Sequence, residues 1–393
     1  ICCRANLPSK KTGWSKEKIM VGLMWEILTR LNRKNIEFDV LCFGDLGQPL
    51  NENYEGIKIR RVFDKKNIFG EIRTGIIISF LISLKLLTRK YDIFHIVGEP
   101  MWHAGGIFIA KLVRTPIVLT FLDPWYPLSK YEFSLKKHSL KQKIFYFFEV
   151  EILAKFLEMV YSTLSSKVTV VSDFIREYII KRGIRKEKID IIPNGVNIDL
   201  FNPEKYPHQF NYTLGYLGSL YSIRGIFKIL DAFQIVKKQI PEAKLIYIGD
   251  GRDRVLLEHK IKEKGLENSI YITGRIPYPE VPGYLSKIDI GLIGWENEVM
   301  QGSSPLKLYE YLSMEKPVVG GKGGQIEEVL KNGYGIYVEN LTPENISNAI
   351  IYLFKNPSMI KKIGKQGREY IKKYHSWDII AERYYEIYKK ILK

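Results

Sequence analysis

Two successive series of short β-rich runs, each alternating with longer helical segments, constrain the fold of this chain most. The first series is IEFDVLCFG, GIKIRRV, YDIFHIVG, PIVLTFLD, KVTVVS and IDIIPNG, and the second is TLGYLGSL, AKLIYIGDG, SIYITGRI, DIGLIGW, PVVGG and GIYVE. Strands joined through amphipathic helices pair in parallel and are covered by helices on both faces. The pattern therefore predicts an α/β protein with two doubly wound, Rossmann-like domains that face a central cleft.

The domain boundary is predicted near residues 201–212, FNPEKYPHQFNY, because this polar stretch carries two prolines and separates the two series. We assign residues 1–203 to an N-terminal domain and residues 204–375 to a C-terminal domain. A chain of 393 residues exceeds what one core usually serves, which agrees with two domains. The aromatic-rich last helix, residues 376–393, is expected to pack back on the N-terminal domain.

The net charge of +17 predicts contact with anions such as phosphorylated substrates or an acidic membrane surface. Nucleic acid fits least, because neither zinc-finger spacing nor an RNP-like aromatic signature accompanies the basic residues. Within residues 130–157, an apolar and aromatic helix follows a basic cluster, which consists of Lys136, Lys137, Lys141 and Lys143. This pattern is typical of a helix on an anionic membrane and, equally, of a core helix with a solvated basic end.

The cysteines and the longest apolar run indicate in which compartment of the cell the protein is found. Cys2, Cys3 and Cys42 are too few and too clustered for a disulfide framework or a spaced zinc site, so we interpret them as reduced thiols. We expect a cytoplasmic protein, attached to the inner face of the membrane if the basic helix binds lipid. The apolar run from Gly75 to Leu87 is shorter than the roughly 20 residues that span a bilayer, and we predict a buried helix.

Strand-to-helix loops are the candidate site, because doubly wound sheets bind ligands beyond the carboxyl ends of their strands. In the first loop, residues 10–16, Gly13 permits close approach of a ligand and Ser15 can cap the next helix. Its amides suit a phosphate, and an ordinary turn is the alternative. In the second loop, residues 215–225, Arg224 and a helix N-terminus can act together on a diphosphate, unless the arginine is a solvated surface residue.

The third loop opens the stretch SSPLKLYEYLSMEKPVV, which begins at Ser303. Ser304 is predicted to cap a helix whose first residue is Pro305, and the amides up to Lys307 form an anion site beside its ammonium. Glu310, one turn deeper, can accept hydrogen bonds from adjacent hydroxyl groups such as those of a ribose. An ion pair between Lys307 and Glu310 is the alternative, but burial on so apolar a helix would make that pair costly.

These loops, together with IIPNGVNIDLFNP, LIYIGDG, ITGRI and GGQIEEVLKNGYGIYV, resemble the retaining nucleotide-sugar glycosyltransferases of family 4, which have the GT-B fold. The resemblance covers residues 160–380 in unbroken order, and KTGWSK, YDIFHIV and PIVLTFLDPW resemble the family more loosely. It implies transfer of a sugar from a UDP- or GDP-sugar to a hydroxyl of a lipid-linked or polysaccharide acceptor in cell-surface glycan synthesis. No cofactor is expected beyond the donor, and no cluster of aspartates indicates a metal.

The resemblance also implies roles for individual residues. Glu310 would bind the ribose, while Arg224 and Lys307 would stabilise the leaving diphosphate; these three are the predicted catalytic residues. The amides of residues 305–307 would hold the distal phosphate or sugar, and the backbone of residues 275–276 would read the base. The predicted donor-binding residues are Gly13, Ser219, Arg224, Arg275, Ile276, Ser304, Pro305, Leu306, Lys307 and Glu310.

Three positions depart from the family pattern. Ser219 stands in place of an arginine, Gly302 in place of the first of two glutamates, and Leu122 in place of a histidine. His95, His103 and Glu99 are nearby in the sequence and could take the place of that histidine, although a lone histidine is more often structural. The acceptor is expected near four residues of the N-terminal domain, which are Trp14, Glu99, His103 and Asp123.

Two other functions remain open at this stage. A sugar-nucleotide epimerase with a GT-B-like fold would need an acid/base pair near the sugar, and the C-terminal loops contain few histidines. A nucleotide-sugar-binding relative that has lost catalysis would account for the three departures.

Overall fold

The computed structural model describes residues 2–3, 20–44, 48–63, 68–98, 105–122, 139, 146–147, 152, 155–295 and 302–393. The chain divides into two compact units. The first unit comprises Ile1–Pro193 with Asp378–Lys393, and the second comprises Asn194–Trp377. Each unit has a largely parallel sheet covered by helices, so the α/β class with two Rossmann-like domains is confirmed.

The sheet of the first unit is doubly wound. Its strands are β1 (Cys2–Cys3), β2 (Asp39–Gly44), β3 (Asn51–Tyr54), β4 (Ile57–Phe63), β5 (Phe94–Val97), β6 (Ile117–Phe121), β7 (Lys167–Val170) and β8 (Ile189–Ile191). They pair in the order β3-β4-β2-β1-β5-β6-β7-β8, with β3 and β4 antiparallel. Strands β5 and β6 are buried at every residue, which explains their continuous apolar sequences.

Four helices of the first unit share one hydrophobic core on one face of this sheet. The helices of the first unit that precede Pro193 are α1 (Met20–Asn32), α2 (Ile68–Thr88), α3 (Gly106–Leu112), α4 (Lys155–Leu164) and α5 (Asp173–Ile180). Ile82 of α2, Ile107 of α3 and Tyr161 of α4 belong to one buried cluster, as does Ile175 of α5. Right-handed crossovers from β4 onward place these helices on the same side of the sheet.

Helix α2 differs from the buried helix that the sequence predicted. The run from Gly75 to Leu87 is helical, but only one side of it is buried. Ile78 and Ile82 lie in the core, whereas Phe80 and Leu84 are exposed on the opposite side. Sequence reasoning predicted a buried helix because an all-round apolar helix usually lies inside a protein.

The second unit contains a six-stranded sheet in which all pairs are parallel. Its strands are β9 (Thr213–Leu217), β10 (Lys244–Ile248), β11 (Ile270–Ile272), β12 (Ile290–Ile293), β13 (Val318–Gly320) and β14 (Gly335–Tyr337). They pair in the order β11-β10-β9-β12-β13-β14. The chain adds strands on one side of β9 and then, from β12, on the other. The strand order therefore reverses between β9 and β12, which defines a topological switch point.

The remaining helices complete the two units. They are α6 (Ile226–Gln239), α7 (Arg254–Glu263), α8 (Val281–Leu285), α9 (Leu306–Ser313), α10 (Gly324–Val329), α11 (Pro343–Phe354), α12 (Pro357–Tyr374) and α13 (Trp377–Leu392). Helix α11 begins with proline and is capped by Thr342, whose hydroxyl accepts from the amide of Asn345.

The stretch 201–212, expected to link the domains, is part of the second unit, and the structure places the boundary after Pro193. Phe201 is fully buried, and its carbonyl accepts from Ser313 Oγ at 2.8 Å and from Arg368 Nη1 at 2.9 Å. A polar sequence with prolines therefore did not mark a free linker, because one buried aromatic residue and one buried guanidinium hold its start.

Helix α13 belongs to the first unit from Asp378 onward. Arg30 Nε of α1 donates to Asp378 Oδ1 at 2.9 Å. His95 Nδ1 lies 2.6 Å from the hydroxyl of Tyr388, and its Nε2 lies 2.7 Å from Thr120 Oγ1. Burial lowers the pKa of His95 to about 3, so the ring is neutral at physiological pH. We interpret His95 as a structural residue that holds α13 on the sheet.

Candidate functional site

The candidate site lies at the switch point of the second unit. Strands β9 and β12 are neighbours, and Gly218 and Gly294 follow their carboxyl ends directly. Open α/β sheets bind ligands where two such loops diverge, because the crevice between them is lined by strand ends and helix N-termini.

The loop after β9 rests directly on the loop after β12. Gly225 has a φ of +73°, and a Cβ atom there would lie 1.8 Å from the carbonyl oxygen of Gly294, so only glycine fits. Asp253 Oδ2 accepts from the amide of Ser222 at 2.6 Å and fixes the short turn that ends at Arg224. Arg224 is thereby held immediately before α6, as predicted for a residue at a helix start.

The start of α9 differs from the prediction. The helix begins at Leu306, with Pro305 at the N-cap, and Ser304 does not cap it. Instead, Ser304 Oγ accepts from the amide of Asn194 at 2.9 Å and lies 2.6 Å from the hydroxyl of Tyr309. The predicted cap is wrong because these two partners hold the serine side chain away from the helix amides.

The predicted amide cradle at this helix start is also smaller than expected. Pro305 has no N–H group and cannot donate, so its assignment as a donor to a phosphate is wrong. The amide of Leu308 bonds to the carbonyl of Pro305 at 3.1 Å. The amides of Leu306 and Lys307 precede this bond and, in the described part of the chain, have no backbone acceptor.

Two cations share one indole ring at this site. The guanidinium carbon of Arg224 lies 5.0 Å from the ring centroid of Trp295, and Lys307 Nζ lies 5.7 Å from the same centroid. Lys307 Nζ also lies 4.4 Å from the ring centroid of Tyr216. Neither cation forms a salt bridge with a carboxylate of the described residues. The pair is thus stabilised by aromatic faces and keeps its positive charge available to an anion.

The ammonium of Lys307 has little space and an unfavourable environment. A Cβ atom at Gly218 would lie 2.8 Å from Lys307 Nζ, so the glycine makes room for the ammonium. Burial and the nearby charge of Arg224 lower the pKa of Lys307 to about 7, against a smaller opposing effect of Glu310. A bound anion would relieve this repulsion.

Glu310 is buried one turn below Lys307, with 4% of its surface exposed. Its Oε1 accepts from the hydroxyl of Tyr278 at 2.9 Å, and the two residues are separated by 32 positions in the chain. Burial raises the pKa of Glu310 to about 7, while the Tyr278 hydroxyl and the charge of Lys307 oppose that shift. The alternative Lys307–Glu310 ion pair is not formed, and Glu310 Oε2 has no hydrogen-bond donor among the described residues.

Three further predicted residues lie in loops at the same edge of the sheet. The carbonyl of Ser219 accepts from the hydroxyl of Tyr216 at 2.8 Å. Arg275 is exposed and Ile276 is partly buried, in the loop after β11. A bridge between Gly249 and Gly274 ties this loop to the one after β10.

Several predictions cannot be placed in the structure. The residues that lie outside the described ranges are Gly13, Trp14, Glu99, His103 and Asp123. Most of the basic helix at 130–157 lies outside them too. The donor-binding role of the loop at residues 10–16, the acceptor-binding residues and the membrane-binding helix within residues 130–157 therefore stay predictions.

Sequence reasoning missed the aromatic residues of the site. Trp295 directly follows the strand run DIGLIG, and this position at a carboxyl end is a signal that could have found it. Tyr216 lies within β9, and nothing in the sequence marks it as a platform for Lys307. Tyr278 carries no sequence signal for its contact with Glu310, because the contact depends on the tertiary fold.

Two negative findings apply to the described residues. Within them, no group of three or more histidine, cysteine, aspartate or glutamate side chains could hold a metal ion. None of their helices combines the length and the hydrophobicity required to cross a bilayer.

Two family models match consecutive parts of the chain. Residues 201–370 match the model described as glycosyl transferases group 1, and residues 23–200 match the model described as glycosyltransferase family 4. The two matches follow one another without a gap, and the resemblance found in the sequence is confirmed.

Similar proteins have related descriptions. An uncharacterized glycosyltransferase of Methanocaldococcus jannaschii is 24% identical over 366 residues, which cover 91% of this chain and 91% of the relative. A second one from that organism is 25% identical over 57% of this chain, and the alignment spans 58% of that relative's length. The GDP-mannose-dependent alpha-(1-6)-phosphatidylinositol monomannoside mannosyltransferase of Mycobacterium tuberculosis is 21% identical over 55% of this chain and 60% of its own.

Solved structures with the same fold span nearly the whole chain. A glycosyltransferase from Rickettsia africae has a TM-score of 0.73 at 19% identity and covers 100% of this chain and 98% of its own. The Anabaena HepE protein, solved in complex with UDP and glucose, has a TM-score of 0.68 at 18% identity and covers 98% of both chains. From its family matches and its architecture, the chain belongs to the group 1 and family 4 glycosyltransferases and has their GT-B fold.

Proposed function

We propose that this chain is a retaining glycosyltransferase that moves a sugar from a UDP- or GDP-sugar to an acceptor hydroxyl. The observation that carries the proposal is the pair Arg224 and Lys307, two cations without a carboxylate partner among the described residues, beside the buried Glu310. A diphosphate would neutralise both cations, and the hydroxyl groups of a neighbouring ribose would donate to Glu310 Oε2.

In the proposed reaction, the bond between the anomeric carbon and the diphosphate oxygen breaks before the acceptor oxygen forms its bond to that carbon on the same face. Positive charge grows on the sugar ring, and negative charge grows on the diphosphate. Arg224, Lys307 and the amides of Leu306 and Lys307 stabilise the leaving group, which is the main electrostatic demand of the step. The products are the glycosylated acceptor and the nucleoside diphosphate, with release of the acceptor's hydroxyl proton.

The choice of donor and acceptor is supported by the similar proteins. HepE was solved with UDP and glucose, and the mycobacterial relative is described as dependent on GDP-mannose. The name of that relative also gives a phosphatidylinositol mannoside as its acceptor. We therefore propose a lipid-linked or polysaccharide acceptor and a peripheral position on the inner face of the membrane.

A two-stage experiment tests the proposal. Thermal unfolding is first measured with UDP, GDP, ADP and CMP, because a nucleotide that binds the folded state raises its stability. Transfer is then measured from the matching nucleotide-sugars to a membrane lipid extract. We expect a shift with UDP or GDP and a sugar-labelled lipid product. Donor turnover without acceptor would indicate an epimerase, and binding without any transfer would indicate an inactive relative; either result contradicts the proposal.

Transfer is expected to proceed without a divalent metal. Arg224 and Lys307 supply positive charge where a metal-dependent enzyme uses a cation to stabilise the diphosphate. Initial rates should be the same in EDTA and in buffer containing Mg²⁺ or Mn²⁺. A loss of activity in EDTA that either metal restores would show that these side chains do not suffice.

Donor affinity is expected to be greatest near pH 7. Lys307 must be protonated and Glu310 ionised in the complex, and each has a pKa of about 7 in the free protein. Below this pH, binding must release a proton from Glu310; above it, binding must take up a proton at Lys307. Affinity should therefore fall on both sides of neutrality, by at most about tenfold per pH unit for each group.

Calorimetry with an intact nucleotide-sugar measures this profile, since both of its phosphates stay singly ionised throughout. Glu310→Gln should remove the fall on the acidic side, and Lys307→Arg should remove the fall on the basic side. An affinity that rises steadily from pH 6 to pH 9 in the wild type would contradict the assigned protonation states.

A further inference from the structure

The outer side of the helix layer in the first unit exposes a row of apolar side chains. On α2 they recur at helical spacing and consist of Ile76, Phe80, Leu84 and Leu87. Phe80 is 66% exposed and Leu84 is 48% exposed, although the opposite side of the same helix lies in the core. The sequence thus places apolar residues where a water-facing helix would carry polar ones.

Helices α3 and α4 extend this row. Helix α3 packs closely on α2, because Gly106 leaves room for Ile82, whose Cγ2 would lie 2.2 Å from a Cβ atom at the glycine. The ring centroid of Phe108 on α3 lies 6.5 Å from that of Tyr161 on α4. The exposed apolar residues of these two helices are Phe108, Leu112, Phe156 and Met159. We call these residues and those of α2 the outer apolar face.

Basic residues border the outer apolar face at one end. Helices that follow parallel strands run parallel to one another, so the carboxyl ends of α2 and α3 lie at the same end of the layer. The exposed cations there are Arg89, Lys90, Lys111 and Arg114. Lys188 donates to the carbonyl of Thr163 near the end of α4, and its pKa is lowered by burial and by the charges of Arg185 and Lys111. Among the described residues this rim also contains the carboxylate of Asp92, and its net charge is positive.

This combination selects one kind of partner. Monomeric proteins rarely expose contiguous apolar patches of several helices, so the outer apolar face is expected to be covered. A second protein would have to combine an apolar surface with acidic groups that lie opposite the basic rim, at one end of that surface only. A bilayer with anionic headgroups offers phosphates to the rim and an acyl boundary to the apolar residues over a large area.

We propose that the outer apolar face and its basic rim dock the enzyme on an anionic membrane, with α2, α3 and α4 lying along the headgroup region. Of the residues that form the outer apolar face, Phe156 alone falls within the stretch 130–157 for which the sequence predicted a membrane-binding helix. Membrane docking depends on the proposed function in one respect: its purpose would be to bring the enzyme to a lipid-linked acceptor.

Vesicle flotation tests the proposal without donor or acceptor, so its outcome is separate from that of the transfer assay. The wild type should float with phosphatidylcholine vesicles that contain phosphatidylglycerol, more weakly at high salt, and not with phosphatidylcholine alone. Phe80→Gln with Leu84→Gln should reduce the bound fraction about tenfold. Val255→Gln with Leu256→Gln on α7 is the matched control, because these residues are 76% and 49% exposed in the second unit.

A second pair of variants tests the basic rim. Lys90→Glu with Lys111→Glu should abolish flotation, whereas Lys361→Glu with Lys362→Glu changes the net charge equally on exposed positions of α12 and should preserve it. Thermal unfolding and nucleotide binding should be unchanged in all four variants. The proposal is overturned if the wild type stays in solution, or if face and control variants behave alike. A dimer in solution that only the Phe80 and Leu84 substitutions dissociate, without vesicle binding, would overturn it in favour of contact between two copies.

Discussion

Lys307→Met should lower kcat/KM for sugar transfer by about 10²- to 10³-fold, the effect expected when one preorganised donor to a developing negative charge is removed. The ammonium of Lys307 lies over Tyr216 and Trp295 and has no carboxylate partner among the described residues, and we propose the leaving diphosphate as its counter-ion. Methionine keeps much of the side-chain length and the apolar contacts but removes the charge. Steady-state kinetics at neutral pH measures the effect.

Lys361→Met is the matched control for this substitution, because Lys361 is an exposed lysine of the same unit on α12. It should leave kcat/KM unchanged. An activity of Lys307→Met within about twofold of the wild type would exclude Lys307 from stabilising the leaving group.

Glu310→Gln should weaken the binding of the nucleoside diphosphate about 10- to 100-fold, as expected for losing hydrogen bonds to a charged acceptor. Inorganic pyrophosphate should bind as well as before or better, because it contacts only the cations and the helix amides. Glutamine fills the same volume, and its carbonyl oxygen can still accept from the hydroxyl of Tyr278. Isothermal titration of both ligands measures the two affinities.

Tyr278→Phe is the companion variant, since it removes the hydroxyl donor but keeps Glu310. It should weaken nucleoside diphosphate binding less than Glu310→Gln does. If Glu310→Gln weakened pyrophosphate and nucleotide binding by the same factor, Glu310 would act on the phosphates or on local structure, and its assignment to the ribose would fail.

The fold class of both units, a sheet wound with helices on both faces, could be predicted from the sequence because alternating apolar runs and amphipathic helices leave few arrangements open. The same reasoning located Arg224 and Lys307, since the loop that follows a parallel strand and the start of the next helix lie at the strand's carboxyl end. Trp295 meets that criterion as well. Its role depends on the reversal of strand order between β9 and β12, which no local pattern reveals.

Other features depended on contacts between residues distant in the chain. Ser304 has the residue type of a helix cap, but Asn194 and Tyr309 bind its hydroxyl instead. The partner of Glu310 is Tyr278, from a turn with no recognisable motif. The apolar composition of helix α2 also led to the wrong prediction of a buried helix. Its apolar residues pack in the core on one side and are exposed on the other. The local sequence predicts helices and strands well, whereas the hydrogen-bond partners of side chains depend on tertiary packing.

The central claim is that the ends of β9 and β12 and the start of α9 bind the diphosphate and ribose of a nucleotide-sugar. A crystal structure with the bound donor tests it most directly. We expect diphosphate oxygens within hydrogen-bond distance of Arg224 and Lys307, and ribose hydroxyls that donate to the carboxylate of Glu310. A nucleotide bound elsewhere on the molecule, with these three side chains unchanged, would contradict it.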